Sequence, residues 1–396
     1  MTARAAAFRV VRRVFEEDAY ADRAFRSAAE ELDARERAFA MQLAYGTVQR
    51  VRTLDHVAET LARRPMARVD PPVRAALRLG TYQLLFLEGV ADHAAVHETV
   101  ELVRAAGAHR AIGFTNAVLR RVAEQGPALL ASLGDATPEE AALAHSYPDW
   151  VARAWWRELG REEAIGLMLA QNKPPEHAVR ADGRMEVVDE VPPELVEEGR
   201  AWPQSRGSYL AGDAVGARPG ERVLDLCAAP GGKATQLAET AREVVAVELH
   251  PGRARELAEN AVRLGAANVR VVNADARELP ADLGSFDRVL VDAPCSGLGV
   301  LNSRPDLRWR ARPLPDLQRE LLAAGRERLR PGGTLTYAVC TIHAPENEEV
   351  VDGLGLRFDD LGAGRPDYRH PRRPEFLLTL PHVHGTSGFF VARMSV

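Results

Sequence analysis

The stretch Val223-Leu-Asp-Leu-Cys-Ala-Ala-Pro-Gly-Gly-Lys233 decides the fold of the second half of the chain. Its apolar beginning, Val223 to Leu226, predicts a parallel strand buried on both faces, because such a strand loses the alternation of polar residues. The Pro-Gly-Gly run ends this strand, and a helix-forming run follows from Lys233 to Glu239. A strand, a glycine turn and a helix N-terminus predict a site for the polar part of a nucleotide-like ligand. The alternative is a tight turn with a purely structural role.

The pattern around this stretch alternates strands and helices from Glu221 onward, which predicts a doubly wound α/β domain. The predicted strands are 222–226, 243–248, 269–273, 287–292 and 333–339, and the predicted helices are 233–240, 251–264 and 313–329. Two further strands, Phe376–Leu380 and Gly388–Met394, are joined by a short His/Gly turn. Strands joined in this way pair antiparallel, so we expect an otherwise parallel sheet to end in an antiparallel edge.

Two of the predicted strands end in an acid. Glu248 ends one strand, where a carboxylate suits the two hydroxyls of a ribose, and Asp275 ends the next, where it could accept from an adenine amino group. Strands often end in solvated acids, so either residue alone is weak support. Together with the glycine turn they mark three successive strand ends and predict an adenosine pocket. The glycine turn lacks the G-x-G-x-x-G pattern of dinucleotide sites, which favours S-adenosylmethionine as the cofactor.

Two cysteines also follow predicted strands, Cys295 in Asp292-Ala-Pro-Cys-Ser-Gly297 and Cys340 in Tyr337-Ala-Val-Cys-Thr341. Open α/β sheets bind ligands at the carboxyl ends of their strands. A single free cysteine is usually a small buried apolar residue, whereas two at neighbouring strand ends favour chemistry. A thiolate that attacks C6 of a pyrimidine makes C5 nucleophilic enough to accept a methyl group.

Residues 2–130 show helical patterns throughout, which predict five to seven helices in a compact bundle. Phe8, Val11 and Phe15 form one apolar stripe, and Asp33 with Glu36 is a capping-box pattern. The predicted organisation is a helical RNA-binding domain at 1–135, a helical and proline-rich connecting region at 136–220 and an α/β domain at 221–396. Three arginines of the first domain are candidates for RNA phosphates or for an ordinary solvated surface: Arg110, Arg120 and Arg121.

The composition is that of a soluble globular protein without a membrane segment: 46% of its 396 residues are apolar and 27% are charged. Three cysteines cannot all pair and the first residues lack a cleavable apolar segment, so we expect a cytoplasmic location. No metal-type cysteine spacing is present in the sequence, and we expect no metal and a monomer. The net charge of −5 gives no support to nucleic-acid binding. Lys173 and Lys233 are the only lysines, which makes a lysine directly after Gly-Gly informative.

These motifs resemble a known family. The runs Cys-Ala-Ala-Pro-Gly-Gly-Lys, Asp-Ala-Pro-Cys-Ser-Gly, Arg-Pro-Asp-Leu-Arg-Trp, Tyr-Ala-x-Cys-Thr and Glu346-Asn-Glu348 are similar to motifs of the RNA cytosine-C5 methyltransferases of the Sun/NOL/NOP family. Leu43-Ala-Tyr-Gly-Thr and Leu79-Gly-Thr-Tyr-Gln-Leu resemble the NusB-type RNA-binding domain. The pairing of both domains is typical of family members that modify bacterial small-subunit ribosomal RNA. The resemblance implies a multidomain chain with an all-α NusB-like bundle, a short connecting subdomain and a Rossmann-like class I methyltransferase domain that binds S-adenosylmethionine.

The resemblance also implies residue roles. Cys340 would attack cytosine C6, Cys295 would assist release of the product, and Asp292 would hydrogen-bond the cytosine edge and stabilise protonation at N3. The implied cofactor-binding residues are Cys227 (as a packing residue), Ala228, Ala229, Pro230, Gly231, Gly232, Lys233, Glu248, Asp275 and Asp292. The implied RNA-facing residues are Arg304, Arg308 and Arg310, with an ordinary arginine-rich surface as the alternative.

The expected activity is formation of 5-methylcytosine in small-subunit (16S) ribosomal RNA. The alternatives are the same chemistry on tRNA or on large-subunit ribosomal RNA, a catalytically inactive RNA-binding assembly factor, and an amino-group methyltransferase. The chain departs from the family pattern at Val339, where threonine is usual, at Ser387, where aspartate is usual, and at Pro203-Gln-Ser-Arg206, where Gln-Asp-Glu is common. The connecting region, about 173–215, also looks shorter than in the family. Val339 spares the nucleophile, whereas the last two departures, the Pro203–Arg206 run and the shorter connecting region, bear on how RNA docks.

Overall fold

The computed structural model describes residues 1–395 and divides into two compact units. The helical unit comprises Met1–Lys173 together with Leu301–Arg310, and the sheet unit comprises Pro174–Val300 and the residues from Ala311 onward. We call Leu301–Arg310 the strap, because it interrupts the sequence of the sheet unit and packs into the helical unit.

The helices fall in the following order along the chain. They are α1 (Ala3–Glu16), α2 (Ala21–Ala28), α3 (Ala34–Ala62), α4 (Pro71–Phe86), α5 (Asp92–Ala105), α6 (Ile112–Ala131), α7 (Pro138–His145), α8 (Asp149–Leu159), α9 (Arg161–Ala170), α10 (Pro193–Glu197), α11 (Arg206–Asp213), α12 (Gly232–Ala238), α13 (Pro251–Arg263), α14 (Leu307–Arg310), α15 (Pro315–Glu327), α16 (Glu348–Val351), α17 (Leu361–Gly364) and α18 (Pro381–His384). None of these helices, within residues 1–395, is both long enough and apolar enough to cross a bilayer. Helices α7 to α9, which the sequence assigned to the connecting region, lie in the helical unit.

The helical unit is built on the apolar positions that the sequence indicates. Val11 of α1 is completely buried, and Phe8 and Phe15 pack against the same core. The Oδ1 atom of Asp33 accepts from the Glu36 N–H at 2.9 Å and caps α3 as predicted. The Glu36 carboxylate accepts instead from the Ala3 N–H at 3.0 Å, so the second half of the capping box is replaced by a tie to α1.

The strands form two sheets. They are β1 (Ala178–Ala181), β2 (Arg184–Val187), β3 (Ala201–Pro203), β4 (Arg222–Leu226), β5 (Glu243–Glu248), β6 (Val269–Asn273), β7 (Phe286–Asp292), β8 (Leu329–Val339), β9 (Arg357–Phe358), β10 (Leu377–Thr379) and β11 (Phe389–Ser395). The larger sheet has the order β10-β11-β8-β7-β4-β5-β6, with β9 paired to β11. Strands β8, β7, β4, β5 and β6 run parallel, and β11 pairs antiparallel with both β8 and β10. The predicted Rossmann-like sheet with an antiparallel edge is confirmed.

Strand β4 lies in the middle of this sheet, between β5 and β7. Leu226 of β4 pairs with Val247 of β5 and with Val291 of β7, so the carboxyl ends of the three strands meet at one edge. Val339, the last residue of β8, is buried and pairs with Phe390 of β11. An apolar side chain therefore suits this buried position, one residue before Cys340.

The small sheet, β2-β1-β3, is antiparallel and is held to the rest of the sheet unit by Arg180. The buried Arg180 guanidinium donates to Thr235 Oγ1 of α12 at 2.7 Å and to Gln204 Oε1 at 3.2 Å. Two of the departures from the family pattern meet nearby. Arg206 donates to the carbonyls of His384 and Gly385 at 3.0 Å each, in the turn that leads to Ser387. Arg206 therefore ties the connecting region to the last hairpin.

Candidate active site

The loop between β4 and α12 has a backbone that requires glycine at one position. Gly231 has φ of +112°, and a Cβ there would lie 2.7 Å from Leu257 Cδ1 of α13. The same helix holds the loop by two carbonyls: Arg253 Nη2 donates to Ala229 O at 2.6 Å, and Asn260 Nδ2 donates to Pro230 O at 2.9 Å. The backbone of this loop is therefore fixed by α13.

Asp225, near the end of β4, is a candidate site residue that the sequence interpretation missed. Its side chain is completely buried, and neither carboxylate oxygen has a hydrogen-bond partner among residues 1–395. Burial raises the pKa of Asp225 well above its ordinary value, and the neighbouring Asp292 adds to the shift while Lys233 opposes it. An unpaired buried carboxyl is costly. The signal for it was an acid inside an otherwise apolar strand.

The two predicted adenosine ligands lie at the same sheet edge, in different surroundings. Glu248, at the end of β5, is almost completely buried, and its Oε1 accepts from the His250 N–H at 2.9 Å. Asp275 follows β6 and is partly exposed, and Arg277 donates to both of its oxygens, with a shortest distance of 2.7 Å. These hydrogen bonds lower the pKa of Asp275 to about 2. Asp275 is therefore a carboxylate that Arg277 already engages.

The residues at this edge fit S-adenosylmethionine. The cofactor carries an ammonium group, two ribose hydroxyls and an adenine. Asp225 offers an unpaired carboxyl for a cation, Glu248 offers a buried acceptor for hydroxyls, and the loop around Gly231 allows close approach of a ligand to the backbone.

Lys233 and Asp292 form an ion pair next to this loop. Lys233 Nζ lies 2.8 Å from Asp292 Oδ2 and 5.0 Å from the centre of the Phe389 ring. Burial on its own lowers the pKa of Lys233, but the Asp292 carboxylate and the Cys340 sulfur outweigh burial and raise it. The ammonium group therefore stays charged beside the predicted nucleophile.

The structure brings the two predicted catalytic cysteines together. The Sγ atoms of Cys295 and Cys340 are 3.4 Å apart, and both residues are partly exposed. The hydroxyls of the next residues, Ser296 and Thr341, are 2.9 Å apart, and the Gly299 N–H donates to Cys340 O at 3.0 Å. The two loops therefore run side by side in register.

Two of the three cysteines, Cys295 and Cys227, have raised pKa values. The hydrogen bond with Cys340, followed by burial, raises the pKa of Cys295 well above its ordinary value. Burial raises the pKa of Cys227 to about 12, with a further contribution from nearby carboxylates. Cys227 therefore stays a thiol at neutral pH, which fits the packing role predicted for it and makes it a poor nucleophile.

A buried carboxylate, Glu346, supports the loop that carries Cys295. The sequence marked Glu346 only as part of a motif, six residues after the nucleophile. Its Oε1 accepts from the N–H groups of Ser296 and Leu314 and from Gln318 Nε2, each at 3.0 Å. Glu346 is completely buried, so no water competes for these bonds.

The structure contradicts the prediction that Arg308 faces RNA. Arg308 lies in the strap and is completely buried in the helical unit, where it donates to Gln49 O at 3.0 Å and to Ser146 O at 3.1 Å. Arg310 is mostly buried and pairs with Asp18, whereas Arg304 remains partly exposed, 3.8 Å from an Asp22 oxygen. In a sequence, a run of arginines indicates a solvated surface, but here Arg308, the middle one of the three, is a buried anchor.

Comparison with known proteins relates both halves of the chain to one kind of enzyme. Residues 214–395 match the family model described as 16S rRNA methyltransferase RsmB/F, and residues 1–124 match the NusB family model. The chain is 34% identical to ribosomal RNA small subunit methyltransferase B of Thermus thermophilus, with 91% of this chain and 89% of that protein covered. It is 30% identical to the protein of the same name from Pseudomonas putida, with 100% and 98% covered.

Solved structures share the fold. The crystal structure of PH0851 superposes with a TM-score of 0.82 at 24% identity and covers 100% of this chain and 99% of that one. A methyltransferase homologue from Pyrococcus horikoshii gives a TM-score of 0.56 at 26% identity over 65% of this chain and 98% of its own.

Proposed function

Because the chain belongs to the 16S ribosomal RNA methyltransferase RsmB/F family, we propose that it forms 5-methylcytosine in small-subunit ribosomal RNA. The observation that carries the cytosine-C5 chemistry is the pair of sulfurs, Cys295 and Cys340, 3.4 Å apart at the ends of neighbouring parallel strands. Transfer to an amino group needs no thiol, so the amino-group alternative leaves this arrangement without a use.

Cys340 is the nucleophile in this proposal. Its thiolate bonds to C6 of the cytosine, and the electron pair of the C5=C6 bond becomes available at C5. Bound S-adenosylmethionine would supply the methyl group that C5 takes up, and the electron pair of the broken S–C bond would stay on its sulfur, which would leave as a neutral thioether. In the release step a base removes the C5 proton, the electrons of that C–H bond restore the C5=C6 double bond, and the Cys340 thiolate leaves C6. We assign assistance in this release to Cys295, whose sulfur lies beside that of Cys340.

Asp292 and Lys233 act on the ring in this proposal. A carboxyl group at Asp292 can hydrogen-bond the cytosine edge and stabilise protonation at N3, which makes C6 more electrophilic. The Lys233 ammonium group lies 2.8 Å from that carboxylate and keeps it oriented. Together they favour attack at C6.

The proposed partner is small-subunit ribosomal RNA, which places the reaction in the cytoplasm. A base inside an RNA helix must leave its stack to reach a cysteine at a strand end, and contacts elsewhere on the RNA offset that cost. Arg110 and Arg120 are exposed on the helical unit and are candidates for such phosphate contacts. We propose a monomer as the active form.

The test is single-turnover transfer of labelled methyl to naked small-subunit RNA by the wild type, Cys340→Ala and Cys295→Ala. Label at cytosine C5 in the wild type, loss of label in Cys340→Ala and a denaturant-stable enzyme–RNA adduct in Cys295→Ala would support the proposal. Normal turnover by either variant would exclude its assigned role. Label on tRNA or large-subunit RNA alone would move the same chemistry to another substrate. RNA binding without binding of S-adenosylmethionine would favour an inactive assembly factor.

A further inference from the structure

We propose that Glu346 is a positioning residue that holds Cys295 for the release step of the reaction. This inference rests on the proposed function, because it concerns the division of labour between Cys295 and Cys340. Glu346 lies at the end of a short 3₁₀ turn, Ala344–Glu346, and its side chain is completely buried.

The Glu346 carboxylate is tied to the chain on both sides of Cys295. On one side, Ser296 donates its backbone N–H to Glu346 Oε1 at 3.0 Å. On the other side, Gln318 Nε2 donates both to Pro294 O at 2.9 Å and to Glu346 Oε1 at 3.0 Å. Because Ser296 bonds Glu346 directly and Pro294 is linked to it through Gln318, the carboxylate limits where the Cys295 sulfur can lie.

Glu346 is itself fixed to the strand that leads to Cys340. Its backbone carbonyl accepts from the hydroxyl of Tyr337, a buried residue of β8, at 2.7 Å. The carboxylate thus transmits the position of β8 to the Cys295 loop. This matters because the two sulfurs must act in sequence on the same base, Cys340 in the attack on C6 and Cys295 in the release step.

Cys340 depends on other contacts. It follows β8, which is paired with β7 on one side and β11 on the other, and its carbonyl accepts from the Gly299 N–H at 3.0 Å. Removal of the Glu346 side chain leaves these contacts in place. We therefore expect its loss to affect release more than attack on C6.

The geometry also distinguishes glutamine from alanine at this position. Glu346 Oε1 accepts all three hydrogen bonds at 3.0 Å, whereas Oε2 makes one longer contact, 3.3 Å from the Ser296 nitrogen. A glutamine whose oxygen occupies the Oε1 position keeps all three short bonds. An alanine keeps none, and two backbone N–H groups lose their acceptor.

The experiment measures label at C5, covalent adduct and multiple turnover separately for the wild type, Glu346→Ala and Glu346→Gln. We expect Glu346→Ala to transfer methyl in a single turnover, to accumulate the denaturant-stable adduct and to turn over about tenfold to a hundredfold more slowly, since a misplacement near 1 Å has costs of that order. Glu346→Gln is expected to restore turnover and to clear the adduct.

The adduct separates a positioning role from a general structural role. If Glu346→Ala is folded but loses transfer and adduct together, or turns over like the wild type, the inference is wrong. If Glu346→Ala does not fold, Gln318→Met serves instead, because it removes the tie to Pro294 O and should also accumulate adduct; absence of adduct there would overturn the inference. A wild type that places no methyl at C5 would overturn the proposed function, and the inference with it.

Discussion

Arg308 anchors the strap, and we expect the substitution Arg308→Ala to lower the free energy of unfolding of the helical unit. Its acceptors are neutral: the carbonyls of Gln49 at 3.0 Å, Ser146 at 3.1 Å and Gln171 at 3.3 Å, Asn172 Oδ1 at 2.8 Å and the Tyr147 hydroxyl at 3.0 Å. Ser146 and Gln171 are the C-caps of α7 and α9. The negative ends of two helix dipoles therefore compensate the buried guanidinium.

The magnitude follows from these contacts. Each hydrogen bond to a charged group contributes about 1 kcal/mol or more, and the guanidinium also lies 3.8 Å from the centre of the Tyr147 ring, a contact that contributes about 1–2 kcal/mol. Returning the guanidinium to water offsets part of this loss. Arg308→Ala leaves several buried neutral acceptors without a donor, at about 1–3 kcal/mol each before the structure relaxes, and we expect it to lower the free energy of unfolding by about 3–5 kcal/mol in total.

Tryptophan fluorescence during urea unfolding measures this loss. Four of the five tryptophans, Trp150, Trp155, Trp156 and Trp309, lie in the helical unit, so the signal reports mainly on that unit. Arg304→Ala is the matched control, because Arg304 lies in the same strap but is partly exposed; we expect a change below about 1 kcal/mol. A loss below about 1 kcal/mol in Arg308→Ala would refute the assignment of Arg308 as an anchor.

Three further predictions concern the sheet unit. Binding of S-adenosylmethionine should release a proton and tighten as pH rises toward the raised pKa of Asp225, because the cofactor ammonium favours the carboxylate. Calorimetry in two buffers of different ionisation enthalpy measures the proton release. Equal binding heats in the two buffers, or a buffer dependence that persists in Asp225→Asn, would contradict the prediction. Gly231→Ala should weaken cofactor binding about tenfold or more because it strains φ and crowds Leu257, whereas Gly252→Ala, which meets open space, should bind normally; equal affinities would disprove the reasoning. Burial raises the pKa of Glu348, but the His370 hydrogen bond at 2.8 Å, a backbone hydrogen bond and the charges of His370 and Arg372 together outweigh burial and lower it below 4.5. The contribution of Glu348 to stability is therefore complete above pH 4.5 and is lost as pH falls through the lowered pKa. The thermal unfolding temperature of the wild type should therefore fall more steeply with decreasing pH than that of Glu348→Gln. Parallel pH profiles of the two unfolding temperatures would contradict this prediction.

The sequence by itself determined the sheet and which candidate residues lie at its edge. Strand and helix patterns are local, so apolar runs, the Pro-Gly-Gly break and the short turn near the C-terminus predict the elements directly. Parallel strands share one carboxyl edge, and this rule alone brings Cys295, Cys340 and Glu248 to the same side of the sheet. Lys233 follows the glycine turn at that edge, so its proximity to the site could also be inferred.

Only the tertiary structure decided the environment of side chains whose partners lie far along the chain. Arg308 looks like one of several surface arginines until it meets Gln49, 259 residues away. Glu346 looks like one member of an acidic turn until it binds Ser296, 50 residues away. That both carboxylate oxygens of Asp225 lack a hydrogen-bond partner within residues 1–395 becomes visible only when β4 is packed on both faces. Periodicity records which face a residue belongs to, but it does not record which distant donor or acceptor lies opposite it. Folding brings these partners together and thereby fixes whether a polar side chain is solvated, anchored or left available for a ligand.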